Sequence, residues 1–114
     1  MTHSIIDSRD VESPNGIFKP MGATLGVSAF GINQLELPPG AEGPMHDHAA
    51  DGQEEVYVIV RGSGMIRLDG AEERLEPGKY VFVPPDQKRQ MVAGGEGLAW
   101  VGVGCKPGAY AAEQ

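Results

Sequence analysis

Two histidines and one glutamate near the middle of the chain have the types and the spacing of metal ligands. His46 and His48 are separated by a single residue, and Glu55 lies at the start of the apolar run EVYVIV that follows. Alternate side chains of an extended strand point to the same face, so a His-x-His pair presents both imidazoles to one side. Two imidazoles and a carboxylate form the facial triad that iron(II) favours, and they also suit manganese, nickel and zinc. We therefore expect His46, His48 and Glu55 to bind one divalent metal ion.

The strand that starts at Glu55 is expected to carry a second polar side chain toward the same interior. Counted in steps of two, Glu55, Tyr57 and Ile59 share one face of the run. A carboxylate that faces a sheltered interior needs a cation or hydrogen bonds to be tolerated there. We expect Tyr57 to face that cavity, either as a core residue whose hydroxyl is hydrogen-bonded or as a contact to a small-molecule substrate.

Short apolar runs and frequent turn residues predict the elements that position these side chains. The 17 glycines and 9 prolines are spread along the 114 residues without a repeating period. Runs such as EVYVIV and YVFV are too short for helices and are rich in β-branched and aromatic residues. With a break at residues 62–64 and a turn at Gly94 and Gly95, the pattern predicts roughly nine or ten short strands and no helix. It is typical of one all-β domain, an antiparallel sandwich or barrel.

The composition and charge of the chain argue against several classes of binding partner. The formal net charge is −7 and the pI is about 4.8, with no basic cluster, so we expect neither nucleic acid nor an anionic membrane as a partner. No window reaches the roughly 18 apolar residues that a membrane-spanning helix needs. Cys105 is the only cysteine, which excludes an intramolecular disulfide and fits a cytoplasmic protein.

The residues around the histidines resemble the first motif of the cupin superfamily. That motif runs glycine, five residues, His-x-His, a short spacer, glutamate, six residues and glycine, and its positions here are Gly40, His46, His48, Glu55 and Gly62. The spacer between His48 and Glu55 is somewhat longer than usual. The resemblance covers about residues 24–104, and it implies a double-stranded β-helix or jelly-roll barrel. We expect one cupin domain over residues 24–114, preceded by an N-terminal arm, residues 1–23, that forms an edge strand or a dimer contact.

The second cupin motif is matched in spacing but not in its residues. Gly78 and Pro84 stand at their expected places, whereas Asp86 replaces the usual glycine and Arg89 replaces the third metal-binding histidine. The resemblance places Arg89 inward, beside the metal site. Arg89 then either pairs with Glu55 and makes metal unnecessary, or it binds the negative charge of a substrate while metal occupies the other three residues. Met91 shares the face of Arg89 by alternation and is expected to make that wall of the pocket apolar.

Two functions of different classes follow. The first is a metal-dependent enzyme, a dioxygenase, isomerase or similar, acting on a small anionic organic substrate that Arg89, Tyr57 and Met91 contact. The second is a metal-free small-molecule-binding or regulatory domain in which Arg89 pairs with Glu55 or binds the ligand. The residues do not assign a reaction type or a catalytic group. An exposed sheet edge is a liability that pairing covers, and small cupins resembling this chain commonly pair, so we expect a homodimer with residues 1–23 in or near the interface.

Overall fold

The structure is a computed structural model that describes residues 2–110. It contains six strands and one short helix. In chain order the elements are β1 (Phe18–Lys19), α1 (Met21–Leu25), β2 (Gly31–Leu37), β3 (Glu54–Leu68), β4 (Ala71–Leu75), β5 (Tyr80–Val83) and β6 (Arg89–Cys105). A 3-10 turn at Ser8–Asp10 precedes them. The expectation of an all-β chain is therefore confirmed, apart from these two short helical segments.

Two long antiparallel strands form the frame of the domain. β3 and β6 pair along their whole lengths, from Glu54 opposite Cys105 to Leu68 opposite Arg89. The strand order is β1-β2-β6-β3-β4, and β5 also pairs with β3. The first part of β3 thus lies between β6 and β5, and its last part lies between β6 and β4. This arrangement surrounds one interior with strands from both ends of the sequence.

The long strands bend where the sequence predicted breaks. The pairing of β3 with β6 shifts register between Ile59 and Arg61 and again between Gly62 and Gly64. Gly62 has φ +81°, and a Cβ there would stand 2.1 Å from the carbonyl oxygen of Gly97. β-Bulges of this kind bend a strand without ending it. The prediction of a strand break at 62–64 was therefore wrong, as was that of a turn at 94–95, which lies inside β6.

The predicted number of strands and the absence of a helix also need correction. Runs expected as separate short strands join into β3 and β6, so six strands replace the nine or ten expected. Helix α1 forms across the expected boundary between the N-terminal arm, residues 1–23, and the domain, where no helix was expected, and it ends at Gly26, whose φ of +84° is typical of a helix C-terminus. Its Gly22 packs so closely on Ile32 of β2 that a Cβ would lie 3.1 Å from the Ile32 oxygen. The packing of α1 on β2 thus outweighs the weak helical pattern of the local sequence.

The core lies between the two halves of the folded sheet. Alternation on β3 turns Tyr57 and Ile59 inward. On β6 both Met91 and Trp100 face inward, because the alternation is interrupted between them where the pairing with β3 shifts register. All four side chains are buried in one cluster, which also includes Leu37, Ile66, Leu75, Val83, Ala93 and Leu98. This core holds the inner faces of β3 and β6 in register, which matters because both strands carry polar residues of the site.

The N-terminal residues lie against the edge of the sheet. β1 pairs with β2, with Phe18 opposite Leu35, and Lys19 approaches Glu36 at 3.4 Å. Ile5 is 86% exposed. The expected domain end at residue 114 lies outside the described residues. Across residues 2–110, no helix has the length and apolar character required to cross a bilayer.

Candidate metal centre

Backbone hydrogen bonds to the second half of the domain hold the loop that carries the two histidines. The His46 amide donates to the Arg89 carbonyl oxygen at 3.0 Å, and the Arg89 amide donates back to His46 at 2.9 Å. The His48 amide donates to Pro85 at 2.8 Å. His46 and Arg89 are therefore paired as directly opposite residues of an antiparallel bridge. Such a pair places its side chains on one face, which explains how distant parts of the sequence meet at one site.

The three residues predicted as ligands lie together. One ligand atom from each of His46, His48 and Glu55 can be chosen so that all three lie within 4.8 Å of one another. The His48 Nε2 and the Glu55 Oε1 are 3.1 Å apart. Two donors that bind one ion at about 2.1 Å and at right angles are separated by about 3 Å. The distance between His48 and Glu55 therefore suits a shared metal ion.

Hydrogen bonds to the other ring nitrogen orient both histidines. The His46 Nδ1 is 3.2 Å from the Pro44 carbonyl oxygen, and the His48 Nδ1 is 3.1 Å from each carboxylate oxygen of Asp51. The Pro44 carbonyl oxygen and the Asp51 carboxylate only accept hydrogen bonds, so these contacts are made by the tautomer of each ring that carries its proton on Nδ1. The Nε2 lone pairs are then free, and this is the tautomer that metal-binding histidines require.

The donor set fits a metal ion for a second reason. In the tautomer of His48 that carries its proton on Nδ1, the Nε2 lone pair faces the Glu55 Oε1 at 3.1 Å without a proton between them. Two electron-rich atoms at this distance repel each other unless a cation separates them. A divalent ion held by His46, His48 and Glu55 would supply that cation, and these ligand types suit iron(II), manganese, nickel and zinc.

Glu55 is the most heavily contacted member of the site. Its Oε1 accepts a hydrogen bond from the Tyr57 hydroxyl at 2.6 Å and lies 3.2 Å from the Arg89 Nη2. Within residues 2–110 the Glu55 Oε2 accepts no hydrogen bond from a side chain. One oxygen is thus held by the protein, while the other remains available to a ligand.

Arg89 lies behind the site. Its side chain has 0% exposure, its Nε donates to the Tyr57 hydroxyl at 3.2 Å, and its Nη1 donates to the Gln87 carbonyl oxygen at 2.8 Å. The Nη2 approaches Glu55 but is not aligned for a hydrogen bond, so the contact is mainly electrostatic. Among the two arrangements expected for Arg89, this structure displays the pairing with Glu55.

A cavity of about 420 Å³ opens in front of the ligands. Tyr57 and Met91, two of the three residues expected to contact substrate, line it, whereas Arg89 is not among the lining residues that the structure describes. Polar atoms come from the three ligand residues and from Asn33 and Gln53, and the remaining wall is formed by Phe18, Leu35, Pro44, Trp100 and Gly102. A mostly apolar pocket with a few convergent polar groups is typical of a small-molecule site.

The environment of Tyr57 keeps its hydroxyl protonated. Burial raises the pKa of Tyr57 far above its usual value, and the adjacent Glu55 carboxylate raises it further. The Arg89 guanidinium opposes this effect but does not cancel it. Tyr57 therefore acts as a hydrogen-bond donor to Glu55 and as an acceptor for Arg89.

Asp51 is the site residue that sequence reasoning missed. It contacts the His48 ring from within the long spacer, and the His48 hydrogen bond, followed by that of the Gln53 amide, lowers the pKa of Asp51. The spacer between His48 and Glu55 is longer than the cupin motif usually has, and this feature of the sequence could have drawn attention to Asp51. Asn33, Gln53 and Phe18 were missed as well, because their approach to the cavity depends on the pairing of β1 and β2 with β6.

Comparisons with known proteins agree with this architecture. Residues 33–103 match the family described as "Cupin domain". A dimethylsulfoniopropionate lyase, DddW, from Ruegeria pomeroyi is 32% identical over 79 residues, which are 69% of this chain and 45% of that protein. The chain thus spans less than half the length of this curated relative.

Two solved structures support the same fold. A cupin protein from Bacteroides fragilis has a TM-score of 0.77 and 24% identity, with 96% of this chain and 93% of that chain covered. A sugar phosphate isomerase of the cupin superfamily from Silicibacter pomeroyi has a TM-score of 0.77 and 22% identity, with coverages of 90% and 76%. At these identities the likeness shows the fold alone. With the sequence match over 33–103 and the double-stranded β-helix seen here, the chain belongs to the cupin domain family.

Proposed function

We propose that this protein is a metal-dependent cupin enzyme acting on a small organic substrate, with His46, His48 and Glu55 as its metal ligands. The observation that carries the proposal is the orientation of the two histidines. Both have Nδ1 next to oxygen acceptors, so both can offer an Nε2 lone pair to an ion that the Glu55 carboxylate also binds. Three protein ligands in front of an accessible cavity are characteristic of catalytic metal sites.

The other residues of the site take roles that fit their positions. A bound divalent ion supplies Lewis acidity for a carbonyl, carboxylate or hydroxyl group of the substrate. Tyr57 and Met91 line the cavity, and we propose that they contact the substrate. Arg89 was expected to hold a substrate anion, but its buried guanidinium reaches the cavity only through Glu55 and Tyr57. Its proposed role is therefore to position these two groups.

The relative from Ruegeria pomeroyi suggests a first substrate to test. That protein is a dimethylsulfoniopropionate lyase, and dimethylsulfoniopropionate is a small molecule with a carboxylate. We propose small organic acids of this size as the substrate class. Release of dimethyl sulfide from dimethylsulfoniopropionate by the metal-loaded protein, measured by gas chromatography, tests the narrowest form of the proposal.

A second candidate function has its own supporting contact. The Arg89 Nη2 lies 3.2 Å from the Glu55 Oε1, and a carboxylate already paired with a guanidinium has less need of a metal ion. The protein would then be a metal-free cupin that binds a small ligand for a regulatory or carrier role. In that case ligand binding would not depend on His46 or His48.

Metal content distinguishes the two candidates. The untagged protein, incubated with iron, manganese, nickel and zinc and then desalted, is compared with a His48→Ala, Glu55→Ala double variant. The matched control is Glu54→Ala, since Glu54 neighbours Glu55 on β3 but projects to the opposite face. Near-stoichiometric metal in the wild type and in the control, lost in the double variant, supports the enzyme. Equal metal contents in all three proteins, or none, would favour the metal-free candidate.

The assembly and location of the protein are proposals as well. We propose a homodimer with residues 1–23 in or near the interface, since Ile5 is largely exposed on that segment and apolar side chains so exposed often lie at contacts. We also propose a cytoplasmic location, which is consistent with a single unpaired cysteine.

A further inference from the structure

The spacer between His48 and Glu55 forms a closed turn around the His48 ring. The Gly52 amide donates to the His48 carbonyl oxygen at 2.7 Å, and Gly52 has φ +71°, which favours glycine. The turn carries Asp51 back toward the imidazole that precedes it. Both carboxylate oxygens of Asp51 lie 3.1 Å from the His48 Nδ1.

Asp51 is itself held in place. Its Oδ1 accepts a hydrogen bond from the Gln53 amide at 3.2 Å, and its Oδ2 accepts one from the Gln53 side chain at 3.3 Å. Gln53 also lines the cavity. The carboxylate is thus fixed between the His48 ring and the residue that leads into β3.

His48 lies between two carboxylates that compete for its proton. Glu55 faces Nε2 at 3.1 Å, and Asp51 faces Nδ1 at the same distance. The Glu55 Oε1 that faces Nε2 also accepts a hydrogen bond from the Tyr57 hydroxyl and lies 3.2 Å from the Arg89 Nη2. Both oxygens of Asp51, in contrast, lie at hydrogen-bond distance from Nδ1. This contact with two acceptor oxygens favours the tautomer with the proton on Nδ1.

We infer that Asp51 is a positioning residue that makes His48 a metal ligand by holding its proton on Nδ1. Without Asp51, the His48 proton moves to Nε2, where it hydrogen-bonds to Glu55 and occupies the position that a metal ion needs. The inference rests on the proposed function for its consequence, which is metal affinity. The tautomer of His48, which the inference predicts, can be measured without a bound ion.

The first measurement is a titration with Mn²⁺, followed by the loss of the free-ion signal in electron paramagnetic resonance. We expect Asp51→Ala to weaken Mn²⁺ binding by about 10- to 100-fold, as is usual when the hydrogen-bond partner of a ligand histidine is removed. Asp51→Asn retains an oxygen acceptor and is expected to lose less affinity. The matched control is Asp47→Ala, which removes a charge of the same sign between the histidines without removing a contact to either ring.

The second measurement is the nitrogen chemical shifts of the His48 ring in metal-free protein at alkaline pH. The wild type and Asp47→Ala are expected to show the Nδ1-protonated tautomer, and Asp51→Ala the Nε2-protonated one. An Nε2-protonated wild type, or Mn²⁺ affinities of Asp51→Ala and Asp47→Ala within twofold of each other, would overturn the inference. If no variant binds Mn²⁺, the proposed function fails, and the tautomer measurement alone still decides the role of Asp51.

Discussion

At the scale of single residues, the site depends on the Glu55 carboxylate, which contacts both the Arg89 guanidinium and the His48 ring. The Glu55 Oε1 lies 3.2 Å from the Nη2 of the fully buried Arg89 and 3.1 Å from the His48 Nε2. A buried guanidinium is costly to desolvate and is tolerated only when it is paired and hydrogen-bonded. Arg89 meets this condition through Glu55, Tyr57 and Gln87. The residue that replaces a metal ligand of the cupin motif is therefore also part of the folded core.

Replacement of the buried Arg89 should cost more stability than replacement of an exposed arginine. Arg89→Met removes the cation that compensates Glu55 and leaves the Tyr57 hydroxyl without a donor, and we expect a loss of about 3 kcal/mol in the free energy of unfolding. Urea denaturation followed by circular dichroism measures it. Arg74→Met is the control, because the Arg74 side chain is 81% exposed. A difference between the two variants below about 1 kcal/mol would argue against a structural role for Arg89.

Tyr57 predicts how stability changes at alkaline pH. Burial first, and Glu55 second, raise the pKa of Tyr57 in the folded protein above the value of 10.0 expected when unfolded. The folded state therefore holds a proton that the unfolded state releases, so its stabilising effect is complete below pH 10 and is lost as the pH rises further. We expect the wild type to lose unfolding free energy more steeply than Tyr57→Phe between about pH 9.5 and 11. Equal slopes would contradict the prediction, and Tyr80→Phe, at an exposed position, should retain the wild-type slope.

At the scale of elements, the bulges in β3 bend this strand, so that its first part pairs with β5 and its last part pairs with β4. Gly62 lies where β3 shifts register against β6, and its φ of +81° is one that other residues rarely adopt. A side chain there would also meet the backbone of Gly97. The site depends on this bend, since Glu55 and Tyr57 lie on the part of β3 before it, between β5 and β6.

We expect Gly62→Ala to be strongly destabilising. The backbone strain and the clash with Gly97 together should lower the unfolding free energy by roughly 2–5 kcal/mol. The matched control is Gly95→Ala, because Gly95 lies in β6 with open space around its Cα and without a positive φ. Thermal or urea unfolding of both variants checks the prediction. Similar stabilities would show that the bend tolerates a side chain.

At the scale of the whole molecule, charge and exposed apolar residues bear on assembly. The net charge of −7 disfavours nonspecific association, so a dimer would require a specific interface. Ile5 and Phe18 are exposed on the N-terminal segment, at 86% and 40%. We expect sedimentation equilibrium at micromolar concentration to give twice the chain mass of 12.1 kDa, and deletion of residues 1–12 to reduce it. A monomeric wild type, or a deletion variant that remains fully dimeric, would contradict the proposed interface.

The positions of several site residues could be predicted from alternation along a strand, whereas that of Asp51 could not. Alternation along a strand was enough to place Tyr57 and Glu55 on one face, and alternation between residues 89 and 91 placed Met91 in the wall. Asp51 was not predictable in this way, since its contact with His48 depends on how the spacer closes. The joined strands were missed because a bulge glycine and a turn glycine look alike in sequence.

The sequence by itself determined the all-β class, the family resemblance and the ligand types at His46, His48 and Glu55, because these follow from side-chain chemistry and from a period of two. Only the tertiary structure decided that Arg89 is buried behind Glu55 instead of lining the cavity, and that Asp51 contacts the His48 ring. The physical reason is that both outcomes depend on desolvation and on contacts between segments far apart in the chain or folded back on themselves. The contacts of Arg89 arise from the pairing of β3 with β6 and from the bridge between His46 and Arg89. The contact of Asp51 arises from the turn that the Gly52 amide closes on the His48 carbonyl oxygen.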